Sequence, residues 1–165
     1  MADTIMTDLR ESPFEVIAKY QRELPVDVNG LGTTLGLTIT YMPLGPDISG
    51  TIMRDRRRGG PSGFAIFVNS FEHPNRQRFT AAHEISHFIL HRDLIETGVI
   101  DDTMYRSKEL NSWQEVEANR LAADILMPIM VVKSQWKANQ NVDELARRFG
   151  VSKQAMEIRV KGLRV

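Results

Sequence analysis

Cysteine is absent from the 165 residues. That excludes disulfides, Cys-rich zinc fingers, iron–sulfur clusters and thiol nucleophiles, so any metal must be held by His, Asp or Glu. Net charge is absent as well, with 21 Lys and Arg against 21 Asp and Glu. Such a balance argues against bulk electrostatic capture of nucleic acid or an anionic membrane, although a local patch can still serve. Long apolar runs are missing. The longest, Ile125 to Val132, is eight residues and contains Pro128, whereas a membrane-spanning helix needs about 20. Met1 to Asp8 carries acid and lacks both a basic and an apolar leader region, so no secretory signal is read and a cytoplasmic location is expected.

What is present is ordinary globular usage, 42% hydrophobic and 25% charged, enough for one domain with a core of its own. Ser12-Pro13-Phe14-Glu15 is a helix start with a capping box, and the helix should run to about Leu24, before Pro25. A segment containing Gly30 and Gly32 follows. Leu35 to Tyr41 alternates like a half-buried strand, and Gly50 to Arg54 and Phe64 to Asn69 are two more strands. Between these two lies a basic Gly/Pro-rich hairpin loop whose Arg56 to Arg58 reads mainly as a solvated tip. From Pro74 to about His91 the pattern is helical; residues 97–111 read as loop, and Ser112 to Leu126 as a second strong helix. Pro128 opens a short helix to about Trp136. Asn141 caps a helix ending at Gly150, and Ser152 caps the last one.

The chemistry sits in His83-Glu84-Ile85-Ser86-His87, an HExxH pattern. Residues four apart on a helix lie about 40° apart around its axis, so both imidazoles can meet one ion from the same face. Glu84 lies about 100° round from His83, the position of a general base in zinc-assisted hydrolysis rather than of a ligand. Apolar flanks bury this helix, and two histidines with a glutamate in a core require a purpose. His91 continues the series but is about 12 Å along the axis from His83, too far to share an ion; it reads as a core residue or one behind the ligands. His73 reads as exposed.

A catalytic zinc wants a third protein ligand. Glu115 shares a small-residue face with Ala118, Asn119 and Ala122, whereas Glu117 points about 160° away with Arg120 and Asp124. Glu115 is therefore the chosen ligand, and Asn119, one turn on, is placed to hydrogen-bond a ligand histidine.

These stretches carry a family resemblance. Val68-Asn69, then Arg76 to His91, then Glu115 to Pro128, and more weakly Leu145 to Ser152, resemble the ImmA/IrrE family of bacterial metallopeptidases over roughly residues 25–163. Ser86 stands where the family usually has Gly and Leu121 where it usually has Phe; neither touches a ligand. The resemblance implies an α+β, zincin-like metallopeptidase core over residues 1–127, with a small mixed or antiparallel sheet packed on the active-site helix. A C-terminal helix-turn-helix-like lobe over residues 128–165 would pack on that core. It implies zinc on His83, His87 and Glu115, with Mn2+ or another divalent ion as a substitute, and Glu84 as catalytic base. The substrate implied is a helix-turn-helix repressor encoded nearby, in stress response, mobile-element or toxin–antitoxin regulation. No additional C-terminal sensor domain, such as some members carry, is expected. Phe64 to Asn69 could pair with an extended substrate, and Tyr105 or Arg106 could stabilise the oxyanion.

The C-terminal pair of helices offers an alternative. Residues 131–165 hold eight basic and three acidic side chains, while 93–124 hold three basic and eight acidic. A basic lobe beside an acidic one permits DNA contact. The second reading is thus a DNA-binding or toxin–antitoxin interaction protein with a vestigial or structural metal site.

Overall fold

The computed structural model describes residues 11–96 and 112–163. Two short helices, α1 (Pro13–Tyr20) and α2 (Val28–Thr34), lead into three strands, β1 (Thr38–Met42), β2 (Gly50–Arg54) and β3 (Phe64–Asn69). The long helix α3 (Pro74–Leu90) follows, then α4 (Arg92–Glu96), α5 (Ser112–Leu126), α6 (Ile129–Ala138), α7 (Val142–Phe149) and α8 (Lys153–Lys161). The mixture of helices with one small sheet is the α+β class expected.

Local chemistry explains most boundaries. The Ser12 hydroxyl accepts from the Glu15 N–H, and the Glu15 carboxylate accepts from the Ser12 N–H, the reciprocal box read in the sequence. The helix ends at Tyr20, short of Leu24. The next residue, Gln21, instead turns its side-chain amide onto the carbonyls of Asp124 (2.8 Å) and Ile125 (3.2 Å), at the end of α5. The segment with Gly30 and Gly32, to which the sequence assigned no element, is a helix. Asp27 caps it by accepting from the Gly30 N–H. A Cβ on Gly32 would sit 2.6 Å from the Ile39 Cδ1, so this glycine is what lets α2 lie on β1.

The sheet is mixed, with order β1-β3-β2: β1 runs parallel to β3, and β2 antiparallel to it through the hairpin. All six residues of β3 are buried, and its backbone is paired on both sides. That overturns the expectation that β3 itself adds a substrate strand, because a strand flanked by two neighbours has no open edge. The apolar run Phe64 to Val68 signals a central strand buried on both faces. α3 packs across β2 and β3, and its other side packs against α5. Ala81 and Ala82 on α3, and Ala118 and Ala122 on α5, are fully buried, and side chains this small permit a close approach. Leu145, Phe149, Val151 and Met156 join the same apolar cluster as Ile66, Ile85 and Ile125. The turn between α7 and α8 is gripped by α3: Arg78 Nε donates to the Gly150 carbonyl (3.0 Å) and Asn75 Nδ2 to that of Val151 (3.3 Å). No helix among the described residues is long and apolar enough to cross a membrane.

Candidate metal centre

α3 starts at Pro74, with the exposed His73 capping it by accepting the Asn75 N–H at Nδ1 (3.1 Å). Thr80 to Phe88 are then buried without interruption, so the whole HExxH stretch lies inside the protein. His83 and His87, one turn apart, turn their Nε2 atoms toward each other at 3.1 Å. From α5, Glu115 presents Oε2 to His83 Nε2 at 3.2 Å and Oε1 to His87 Nε2 at 3.1 Å. The structure thus brings together His83, His87 and Glu115, with potential donor atoms all within 4.8 Å of one another.

Whether an ion fits can be judged from these separations. A tetrahedral zinc with bonds of about 2.1 Å holds its ligands about 3.4 Å apart. The two imidazole nitrogens are 3.1 Å apart, and each has a Glu115 oxygen at a similar distance, Oε2 at 3.2 Å from His83 and Oε1 at 3.1 Å from His87. With one donor atom per residue all three lie within 4.8 Å, so a small turn of the carboxylate brings them to one ion. The donor set, two imidazoles and a carboxylate, is one that zinc accepts. The outward nitrogens of both rings are engaged elsewhere, His83 Nδ1 with Asn119 Oδ1 at 2.9 Å and His87 Nδ1 with His91 Nδ1 at 3.0 Å. Each ring is therefore oriented with Nε2 toward the common point. The residues fit the group.

Electrostatics agree. Hydrogen bonds from His83 and then His87 hold the Glu115 carboxyl well below the usual carboxylate range, against the opposing effect of burial. A group held ionised in this way is ready to act as a ligand. Glu84 is completely buried beside His83, and Gly50 of β2 lies against it: a Cβ there would be 3.8 Å from the Glu84 Cγ.

The remaining sequence candidates fall as follows. Asn119 reaches His83 although the residue is exposed. His91 is 4% exposed and sits behind His87. Glu117, assigned by the helical wheel to a solvent face, is half-exposed but places Oε2 3.0 Å from His91 Nε2. This contact was not foreseen, because the wheel gives direction on α5 but not the position of His91 on α3. Tyr105 and Arg106 lie outside the described residues. Arg58, in the basic loop, pairs with Asp55 at 2.6 Å and lies over the Phe67 ring, a structural use for one of its three arginines.

The chain resembles known proteins along most of its length. A peptidase family model, the IrrE N-terminal-like domain, matches residues 33–161. A protein of Deinococcus deserti named radiation response metalloprotease IrrE is 34% identical over 146 residues, covering 86% of this chain and 44% of that protein. Its namesake in Deinococcus radiodurans is 36% identical over 121 residues, 71% of this chain and 34% of that one. The chain therefore spans less than half the length of these relatives. A solved structure, a Mycobacterium tuberculosis transcriptional regulator, superposes with a TM-score of 0.56 at 17% identity, over 95% of this chain and 48% of that one. At that identity the match speaks to the fold alone.

Proposed function

The chain belongs to the IrrE N-terminal-like family of metallopeptidases, and from that premise we propose that it is a zinc-dependent endopeptidase that cuts a helix-turn-helix repressor. The observation that carries the reading is the convergence of His83, His87 and Glu115, with donor atoms within 4.8 Å of one another, between two packed helices. These three residues would hold the ion. Bound zinc supplies Lewis acidity, polarising a peptide carbonyl and making water acidic enough to lose a proton near neutral pH.

The chain's own residues do the rest. Glu84, next to the first ligand and buried, accepts a proton at its carboxylate and returns it to the leaving amine nitrogen. Asn119 and His91 keep the ligand rings turned inward. An extended substrate adds to an outer strand rather than to β3, and β2 is the better placed, since Gly50 abuts Glu84. The repressor identity draws on the family resemblance, and the relatives' name, radiation response metalloprotease, supports a regulatory protease. An enzyme of this kind acts in the cytoplasm, where such repressors are found.

The reading as a DNA-binding protein draws on the basic balance of residues 131–165. Two of those cations have partners in the chain, Arg159 in a half-buried site and Lys153 at the surface. Arg159 donates to the Met127 carbonyl (2.6 and 2.9 Å) and pairs with Asp124 (2.7 Å), while Lys153 pairs with Asp143. The peptidase reading is favoured.

The test is incubation of purified, zinc-loaded protein with the repressor encoded beside it, followed by mass analysis of products. About one zinc per chain and cleavage at a defined bond are expected, with cleavage lost in Glu84→Gln while zinc is retained. Less than about half an equivalent of zinc after reloading would sink the metal reading. Undiminished cleavage by Glu84→Gln would sink the assignment of the base.

A further inference from the structure

We propose that His91 and Glu117 form a positioning pair that sets how His87 presents its Nε2 to the ion. The inference rests on the reading of His83, His87 and Glu115 as ligands, and it follows from counting protons. His87 is 2% exposed and its Nδ1 lies 3.0 Å from His91 Nδ1. Two ring nitrogens at that distance share a single proton. When His87 offers the lone pair of Nε2, its neutral ring carries its proton on Nδ1, so His87 donates and His91 accepts.

The proton of the His91 ring is then on Nε2, and Nε2 lies 3.0 Å from the Glu117 Oε2. A carboxylate only accepts, so this arrangement pairs every nitrogen in the row. The opposite tautomer of His91 would set a lone pair against the carboxylate and turn two N–H groups toward each other. His91 is held in place as well: it is 4% exposed, and the Trp113 ring stands edge-on to it with centroids 5.9 Å apart. Glu117, with its side chain 49% exposed, thus acts on a ligand that it does not touch. His83 is oriented in a different way, by the single amide oxygen of Asn119. The two ligand rings therefore have unlike supports, one neutral and direct, the other anionic and relayed.

The experiment uses the whole chain loaded with zinc. Long-range nitrogen–proton NMR reads the tautomer of each histidine, and competition with a chelating dye reads zinc affinity. In the wild type, His91 is expected to carry its proton on Nε2 rather than Nδ1. Glu117→Ala should abolish that preference and weaken zinc binding by about tenfold or more. His91→Phe, which keeps a ring of similar size but no nitrogen, should cost about 10–100-fold. Glu117→Gln, whose amide oxygen can still accept, should recover most of the loss. A wild-type His91 with its proton on Nδ1, or zinc affinities of Glu117→Ala and His91→Phe both within about twofold of wild type, would overturn the inference and leave the metal reading intact. A wild type that binds no zinc would overturn both. Glu117 is half-exposed, so its variants report on the pair without a buried void.

Discussion

The contact between β2 and α3 at Gly50 carries a sharp prediction. Gly50 pairs with Val68 in the sheet, and the face it presents to α3 meets Thr80 and Glu84, one turn apart. A Cβ added there would overlap the Thr80 Cγ2 methyl, stand 2.9 Å from the Phe67 carbonyl oxygen and reach within 3.8 Å of the Glu84 Cγ. Thr80 is 3% exposed, so its methyl cannot swing into solvent. Either the strand or α3 has to move. Forcing a methyl into a packed site costs about 1–3 kcal/mol. At roughly 2–4 °C per kcal/mol for a chain of this size, Gly50→Ala should lower the melting temperature by about 2–12 °C.

Two further variants separate this cause from a general dislike of alanine. At Gly45 the nearest atom to a new Cβ is the Ile48 Cδ1 at 3.6 Å, an ordinary contact. Gly45→Ala should leave stability unchanged or raise it by up to about 1 kcal/mol through the unfolded chain. Thr80→Ser removes the methyl that Gly50→Ala strikes, so the double variant should be more stable than the sum of the singles by at least about 0.5 kcal/mol. Urea denaturation of the wild type and the four variants measures these differences. Equal stability of Gly50→Ala and Gly45→Ala, or strictly additive behaviour with Thr80→Ser, would refute the close approach of β2 to α3.

Other expectations concern the two glutamates, acid stability and the last turn. Glu115→Gln should reduce zinc affinity more than Glu117→Gln, measured by dye competition, because one change removes a ligand and the other only weakens a partner's hydrogen bond; the reverse order would exchange their roles. In the metal-free protein, Glu115 is held below its ordinary value of 4.5, so its contribution to stability is present above that pH and is lost as pH falls toward the folded value. The wild type should therefore lose stability on acidification more steeply than Glu115→Gln, and parallel slopes in urea midpoints would contradict this. Gly150 has φ +64°, and a Cβ there would lie 2.7 Å from the Arg78 Nε. Gly150→Ala should cost more than about 1 kcal/mol from the left-handed backbone alone, and an unchanged melting temperature would show that the α7–α8 turn is not held as described.

Much of this was legible because it is local. The caps at Ser12, Asn141 and Ser152 are each a short side chain three residues ahead of the N–H it accepts, and all three form. The proximity of His83 and His87 is equally local, a matter of helical pitch. Features that depend on a second element were harder. The apolar run Phe64 to Val68 says that both faces of the strand are covered, but not that strands lie on both of its edges. The glycines of α2 concealed a helix, because their reason for being there, the Ile39 side chain under Gly32, lies in β1. Glu117 was set aside on the wheel of its own helix, whereas its partner, His91, lies at the end of another.

The polar contacts between α3 and α5 also address how two alanine-lined helices choose their alignment. Ala118 and Ala122 are one turn apart, and a face of small residues repeating every turn has little to distinguish one register from the next. The histidines supply the missing information. His83 meets Asn119, His87 meets Glu115 and His91, at the end of α3, meets Trp113, so these partners descend along α5 as the histidines ascend; Glu117, between the first two, reaches down to His91. Sliding one helix by a turn would part His91 from Glu117, setting Leu121 or Trp113 in its place, and in one direction would set Ala123 opposite His83; an unpaired buried polar group costs about 1–3 kcal/mol. The row of unlike partners therefore selects one antiparallel register. In that register the Nε2 atoms of His83 and His87 meet the Glu115 carboxylate at a common point.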